Sequence, residues 1–129
     1  MPYELTTPDA VLVSRIFGVF TARELERIAT EAEIAEAAHP VSRDRITDLT
    51  DVERFEVGYQ EIFNFAIRRS AQRFTRVVKS AIVATKPVQV AMARIYDAVN
   101  VNPQIRIRIL SSVAEATEWF ADLNDEPIG

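Results

Sequence analysis

Two hydropathy periods alternate along this chain, and that alternation restricts its fold more than any other feature. Segments that repeat every second residue read as strands; segments that repeat every three or four read as helices. Tyr3–Thr6 and residues 10–17 are strands on either side of the turn residues Thr7-Pro8-Asp9. Thr21, followed by Glu24, opens a helix through a capping box. Its stripe is Leu25, Ile28, Ala29, Ala32 and Ala35, and it stops near His39-Pro40, since a residue before proline avoids helical angles. Residues 45–49 form the next strand. The helix after it carries Tyr59, Ile62, Phe63, Ala66, Ile67 and Phe74 as its apolar stripe and leaves Phe65 off it. Residues 76–84 are β-branched and apolar on both faces near the end, as in a strand central to a sheet. Thr85 and Pro87 begin a third helix with Val88, Ala91, Met92, Ile95 and Val99 inward. In residues 104–110, Ile105, Ile107 and Ile109 alternate with Gln104, Arg106 and Arg108. Ser112 and Glu115 cap a last helix that turns Val113, Ala116, Phe120 and Leu123 inward.

The order β-β-α-β-α-β-α-β-α gives an α/β fold: a mostly parallel five-stranded sheet with an antiparallel N-terminal edge strand and right-handed crossovers. If successive strands lie side by side, every helix falls on one sheet face, and the polar side of Arg106 and Arg108 leaves the other face wet. The 129 residues make one domain, its core about residues 3–123.

Composition removes several classes of function. There is no cysteine and one histidine, so thiolate zinc sites, iron–sulfur clusters and multi-histidine metal sites are excluded. The three glycines, Gly18, Gly58 and Gly129, are too scattered for a phosphate-binding loop. No cofactor is expected. A net charge of -4 argues against general nucleic-acid binding. The most apolar stretch, residues 77–93, is broken by Lys79 and Lys86, so no membrane span is expected, and the N-terminus lacks the pattern of a signal peptide. The expected location is the cytoplasm.

Five groups of residues invite a functional reading. Asp48 and Asp51, at the carboxyl end of a parallel strand, could hold a cation or work as acid and base; Asp51 as a turn former and Thr50 as a cap is the plainer account. His39 with Ser42 or Asp44 could resemble a triad, but no nucleophile elbow accompanies it. Arg68, Arg69, Arg73 and Arg76 crowd a helix end, where the helix dipole favours cations with or without a bound anion. Arg94 and Tyr96 place polar groups on an otherwise packed helix. Phe55 and Phe65, surplus to the core stripe, could line a pocket or a dimer surface.

The element order, the segment Asp48-Leu49-Thr50-Asp51-Val52 leaving a strand, the block Ala91-Met92-Ala93-Arg94-Ile95-Tyr96 and the closing Ala116-Thr117-Glu118-Trp119 together resemble the STAS/SpoIIAA-like domains. More narrowly they resemble an uncharacterised bacterial STAS/SEC14-like branch, over residues 3–123. The resemblance implies a β-α superhelix shared with anti-sigma-factor antagonists and CRAL-TRIO lipid carriers. In the antagonists a phosphorylatable serine follows at the next helix start. The matching positions here are Val57 and Gly58, which cannot carry a phosphate. The expectation is therefore a non-enzymatic binding or regulatory domain for a protein partner or small ligand, with a homodimer expected from the half-polar last strand. Its ligand or partner surface would draw on Asp48, Thr50, Asp51, Phe55, Phe65, Arg94 and Tyr96. A carrier of a lipophilic small molecule is the alternative, and a small enzyme using Asp48 and Asp51 the third.

Overall fold

A computed structural model describes residues 3–6 and 11–122. Strand β1 (Tyr3–Thr6) lies antiparallel along β2 (Val11–Thr21). From β2 onward the sheet is parallel, running through β3 (Asp44–Glu56), β4 (Val78–Val83) and β5 (Ile105–Leu110) in chain order. Helices α1 (Ala22–Ala37), α2 (Tyr59–Ser70) and α3 (Pro87–Val99) are the crossovers, and α4 (Val113–Ala121) closes the chain. Thr21 Oγ1 accepts the Glu24 amide at 3.2 Å to start α1, and Ser112 Oγ accepts the Glu115 amide at 3.1 Å to start α4. Every residue of β4 is buried, as a strand flanked and covered on both sides must be.

Three expectations need correction. The first concerns the layers. A strand order that advances one neighbour at a time puts α1, α2 and α3 on one face. There Ile16, Leu49 and Ile82 meet Leu25, Ile28, Ile62 and Ala93. Helix α4 covers the opposite face, where Ala116 and Trp119 pack on Ile46, Ala81 and Val83. The molecule is thus a three-layer sandwich rather than two layers. The sequence reading treated the Arg106 and Arg108 side as wet, yet the Arg108 guanidinium stacks over the Trp119 ring at 5.2 Å. Lys79, 2% exposed, anchors the same helix by donating to the Trp119 carbonyl at 2.9 Å and the Asp122 carbonyl at 3.1 Å. An ammonium at those carbonyls complements the negative end of the helix dipole.

The second concerns β3, which does not end at Leu49 but continues to Glu56. Its pairing with β4 stops at Asp48 opposite Val83; from there on its ladder partner is β2, up to Thr21 opposite Glu56. Residues 49–56 and the end of β2 therefore form a two-stranded ribbon projecting past the sheet. The β2–β3 ladder shifts register twice, each time with an extra residue on β3, and Gly18, at φ +74, stands on β2 at the second shift. That backbone angle suits glycine, and bulges of this kind increase local twist.

The third concerns which helix faces turn inward. In α2 the buried residues are Ile62, Ala66 and Arg69, with Phe65 packed beside them, while Tyr59 and Ile67 are 59% and 48% exposed. In α3 Met92 and Ile95 pack inward as expected, but with Gln89, Ala93 and Tyr96, and Val88 is on the outside. In α4, Trp119 is buried with Ala116 and Val113 is exposed; Leu123 lies outside the described residues. Each misreading has one cause. The true inner stripe carries a polar residue, or an aromatic one with a polar group, and a more apolar stripe lies beside it.

Candidate functional site

A cavity of about 100 Å³ lies between the sheet and helices α1, α2 and α3. That is several times the space one water needs. Its walls are mostly apolar: Leu25, Ile28, Ala29 and Ala32 from α1, Ile62 and Phe65 from α2, Met92, Ala93 and Tyr96 from α3. The β2–β3 ribbon supplies its aromatic end. Phe20 and Phe55 are register partners, both line the cavity, and their ring centroids are 5.8 Å apart. Phe65 packs against Tyr96 on the facing side at 5.5 Å.

The floor of this cavity is polar. Alternation along each strand turns every second side chain to the helix-covered face. On β2 these are Leu12, Ser14 and Ile16; on β3, Arg45, Thr47 and Leu49; on β4, Ser80 and Ile82. Register sets Arg45 between Leu12 and Ser80, and Thr47 between Ser14 and Ile82. The polar positions of three neighbouring strands thus fall on two successive levels, Arg45 with Ser80 and Ser14 with Thr47, on a covered face where apolar residues are the rule.

Beside that floor sits a buried charged corner. Arg69, 3% exposed, extends the inner stripe of α2 by one turn and lines the cavity with Arg45. Both guanidiniums lie over the ring of Phe74, at 5.2 Å for Arg45 and 5.9 Å for Arg69. Phe74 is itself fixed to the start of β5, its amide donating to Gln104 Oε1 and its carbonyl accepting from Gln104 Nε2. Arg45 is ion-paired with Glu36, and Arg43 donates to the Ala35 carbonyl at 3.0 Å. Burial pushes the Glu36 carboxyl above its ordinary value, against the opposing pull of Arg69 and Arg43. Burial likewise raises the Tyr96 hydroxyl, and the Arg69 guanidinium beside it works the other way.

Of the residues expected at a binding surface, the structure brings Phe55, Phe65 and Tyr96 to the cavity and distributes the rest elsewhere. Asp48 and Asp51 are within the extended β3, not at its carboxyl end, and they have separate partners. Asp48 Oδ1 accepts from the Thr50 amide at 3.0 Å and from Thr50 Oγ1 at 2.7 Å. Asp51 pairs with Arg15 across the ribbon at 2.5 Å. Thr50 is a mid-strand residue and caps no helix. Arg94 is exposed on α3 at a shallow depression with Ser111 and Glu115. His39 is occupied with the backbone of Val41, and Ser42 exchanges hydrogen bonds with Thr75, so no triad forms. The arginine group divides: Arg68 pairs with Glu33 and Glu26, Arg76 with Asp44, Arg73 is exposed and Arg69 turns inward. Gly58 stands at the N-cap of α2 and offers no side chain there.

The sequence reading missed Ser14, Arg45, Thr47 and Ser80, and placed Arg69 in a surface cluster. Each had a signal. Ser14 alternates with Leu12 and Ile16, Arg45 and Thr47 with Leu49, and Ser80 with Val78 and Ile82. Arg69 follows Ile62 and Ala66 at helical spacing.

No family model matches this chain, and no curated relative does. Among solved structures, it is similar to an uncharacterised protein of the DUF3478 family with a SpoIIAA-like fold from Shewanella loihica PV-4. The two superpose with a TM-score of 0.60 over 91% of this chain and 89% of that one, at 15% identity. What the parallel β2–β5 sheet, its four helices and that superposition establish together is a SpoIIAA-like fold.

Proposed function

We propose that this is a non-enzymatic binding domain whose ligand is a small lipophilic molecule held between the sheet and helices α1–α3. The observation that carries this reading is the interior cavity with its aromatic end at Phe20, Phe55 and Phe65. A domain of this length ordinarily closes its core to the density of an organic crystal, with voids little larger than a water. Space on this scale, apolar on its walls and polar at one place on its floor, has the make-up of a ligand pocket. A role without catalysis is supported by the separate engagement of Asp48 and Asp51.

Native mass spectrometry of the protein purified without denaturant tests the proposal. The expected result is a co-purifying apolar adduct at one per chain, or saturable uptake of a lipophilic naphthylamine dye, with Phe65→Ala weakening either about tenfold. A chain free of adduct that takes up no dye would refute it. A second reading rests on the outer side of α2, where Tyr59 and Phe63 stack at 6.1 Å in line with exposed Ile67. That stripe suits contact with another protein or a second copy, and light scattering at the mass of one chain would count against the copy.

A further inference from the structure

Three arginines, Arg43, Arg45 and Arg69, surround one carboxylate, Glu36, at the polar corner of the cavity. All three arginines are under 9% exposed. Asp44 is committed to Arg76, and Asp97, the acidic group nearest Tyr96, is exposed. The corner therefore holds more buried positive than negative charge, an arrangement that proteins ordinarily complete with a counter-ion or avoid. The hydrogen-bond inventory agrees. Among the described residues, the buried side-chain atoms without a protein partner include Arg69 Nη1, Arg45 Nε, Arg43 Nε and Glu36 Oε2, all from this corner.

The two arginines that line the cavity are also preorganised. Phe74 holds both guanidiniums on its ring, and Gln104 holds Phe74. Neither guanidinium must be ordered again on binding, which is where much affinity for a small anion is otherwise lost. A guanidinium presents its donors in a planar fork that matches carboxylate and phosphate oxygens. The hydroxyls of Ser14, Thr47 and Ser80 sit on the same floor, and the apolar walls and aromatic ribbon lead away from it.

We propose that the ligand is a single-chain amphipath with an oxyanion head, carboxylate or phosphate, whose head is held by Arg45 and Arg69 and whose hydrocarbon lies against Phe20, Phe55 and Phe65. The proposal rests on the lipophilic-ligand reading above and adds to it the chemistry of the head.

Decanoate, decyl phosphate and decanol share one chain and differ in the head, so titrating each into the full chain by calorimetry separates the two claims. At least one of the anions should bind about tenfold or more tightly than decanol. Which anion binds better identifies the head as carboxylate or phosphate. Arg69→Met and Arg45→Met should each remove that preference while leaving decanol affinity within about twofold. Without ligand, Arg69→Met should melt no lower than the parent, because it removes a buried charge that lacks a full set of partners. Should either methionine variant fail to fold, Arg69→Lys, which retains the charge but not the fork, should lose part of the anion preference. Equal binding of all three compounds, or anion binding indifferent to both arginines, would overturn the assignment of the head while leaving a lipophilic ligand in place. Failure of all three to bind would overturn both.

Discussion

Replacing Ala29 by leucine should stabilise the unliganded domain and close its interior to ligands. Ala29 is 1% exposed and forms part of the α1 wall of the cavity. Leucine adds three carbons, worth about 0.8 kcal/mol each when buried, or roughly 2.4 kcal/mol. Ordering the new side chain takes back about 0.5–1 kcal/mol. Alanine and leucine are both strong helix formers, so backbone propensity changes little. The net is about 1.5–2 kcal/mol of added stability, which in a chain of this length raises the melting temperature by about 5–10 °C. In a core with no spare room the same change overpacks and destabilises by about 1–3 kcal/mol. The two cases differ in sign, so circular-dichroism melts supported by urea titrations decide between them. Calorimetry with decanoate supplies the functional half, an affinity lowered at least about tenfold. A variant that melts lower than the parent and binds decanoate as before would refute the claim that this space is real and is the ligand's.

Two further substitutions test the frame around the cavity. Gln89 is fully buried; its Oε1 accepts from the Thr85 and Lys86 amides at 3.0 Å each, and its Nε2 donates to the Thr50 and Val52 carbonyls at 3.3 and 3.0 Å. Gln89→Leu keeps the shape but orphans these groups, and with the Val52 bond wholly buried it should cost about 3 kcal/mol in urea unfolding. A loss under about 0.5 kcal/mol would show that the amide holds nothing. Gly18→Ala should cost about 1–2 kcal/mol in the same assay although no atom lies within 4 Å of the added carbon, because the strain is in the backbone angle. An unchanged midpoint would mean that the bulge can be ironed out.

The succession of strands and helices was legible because each element keeps its period over several residues, and β4 declared itself through the apolar residues 81–84 at its end. Orientation within the elements was less legible. In α2 and α3 the inner faces contain Arg69 and Gln89, and a reading that sorts by polarity puts both outside. Their burial follows from long-range partners: the ring of Phe74 for Arg69, the carbonyls of Thr50 and Val52 for Gln89. Nothing local announces either. The end of β3 was lost for a related reason. Asp51, Glu53, Arg54 and Glu56 look like a loop, but a ribbon with one solvated face is free to carry charge. Phe55, Phe65 and Tyr96 were visible as the aromatic lining of the cavity, whereas of its charged corner only Arg69 was noticed, and that as part of a surface cluster.

The Gln89 amide has a structural consequence for how a guest would enter. Where β4 stops, this one side chain continues its role, meeting the outer carbonyls of β3 as a neighbouring strand would. Beyond that clasp the Phe20–Phe55 end of the ribbon runs on directly into α1 at Ala22 and, past Val57, into α2. Opening it would break the side-chain clasp and uncover Phe20 and Val52 while the ladder between β3, β4 and β5 stays paired, so admission of a guest is expected to be subglobal rather than a global unfolding. Amide exchange in residues 50–56 that is faster than in β4, and that slows when the chamber is filled, would be its signature.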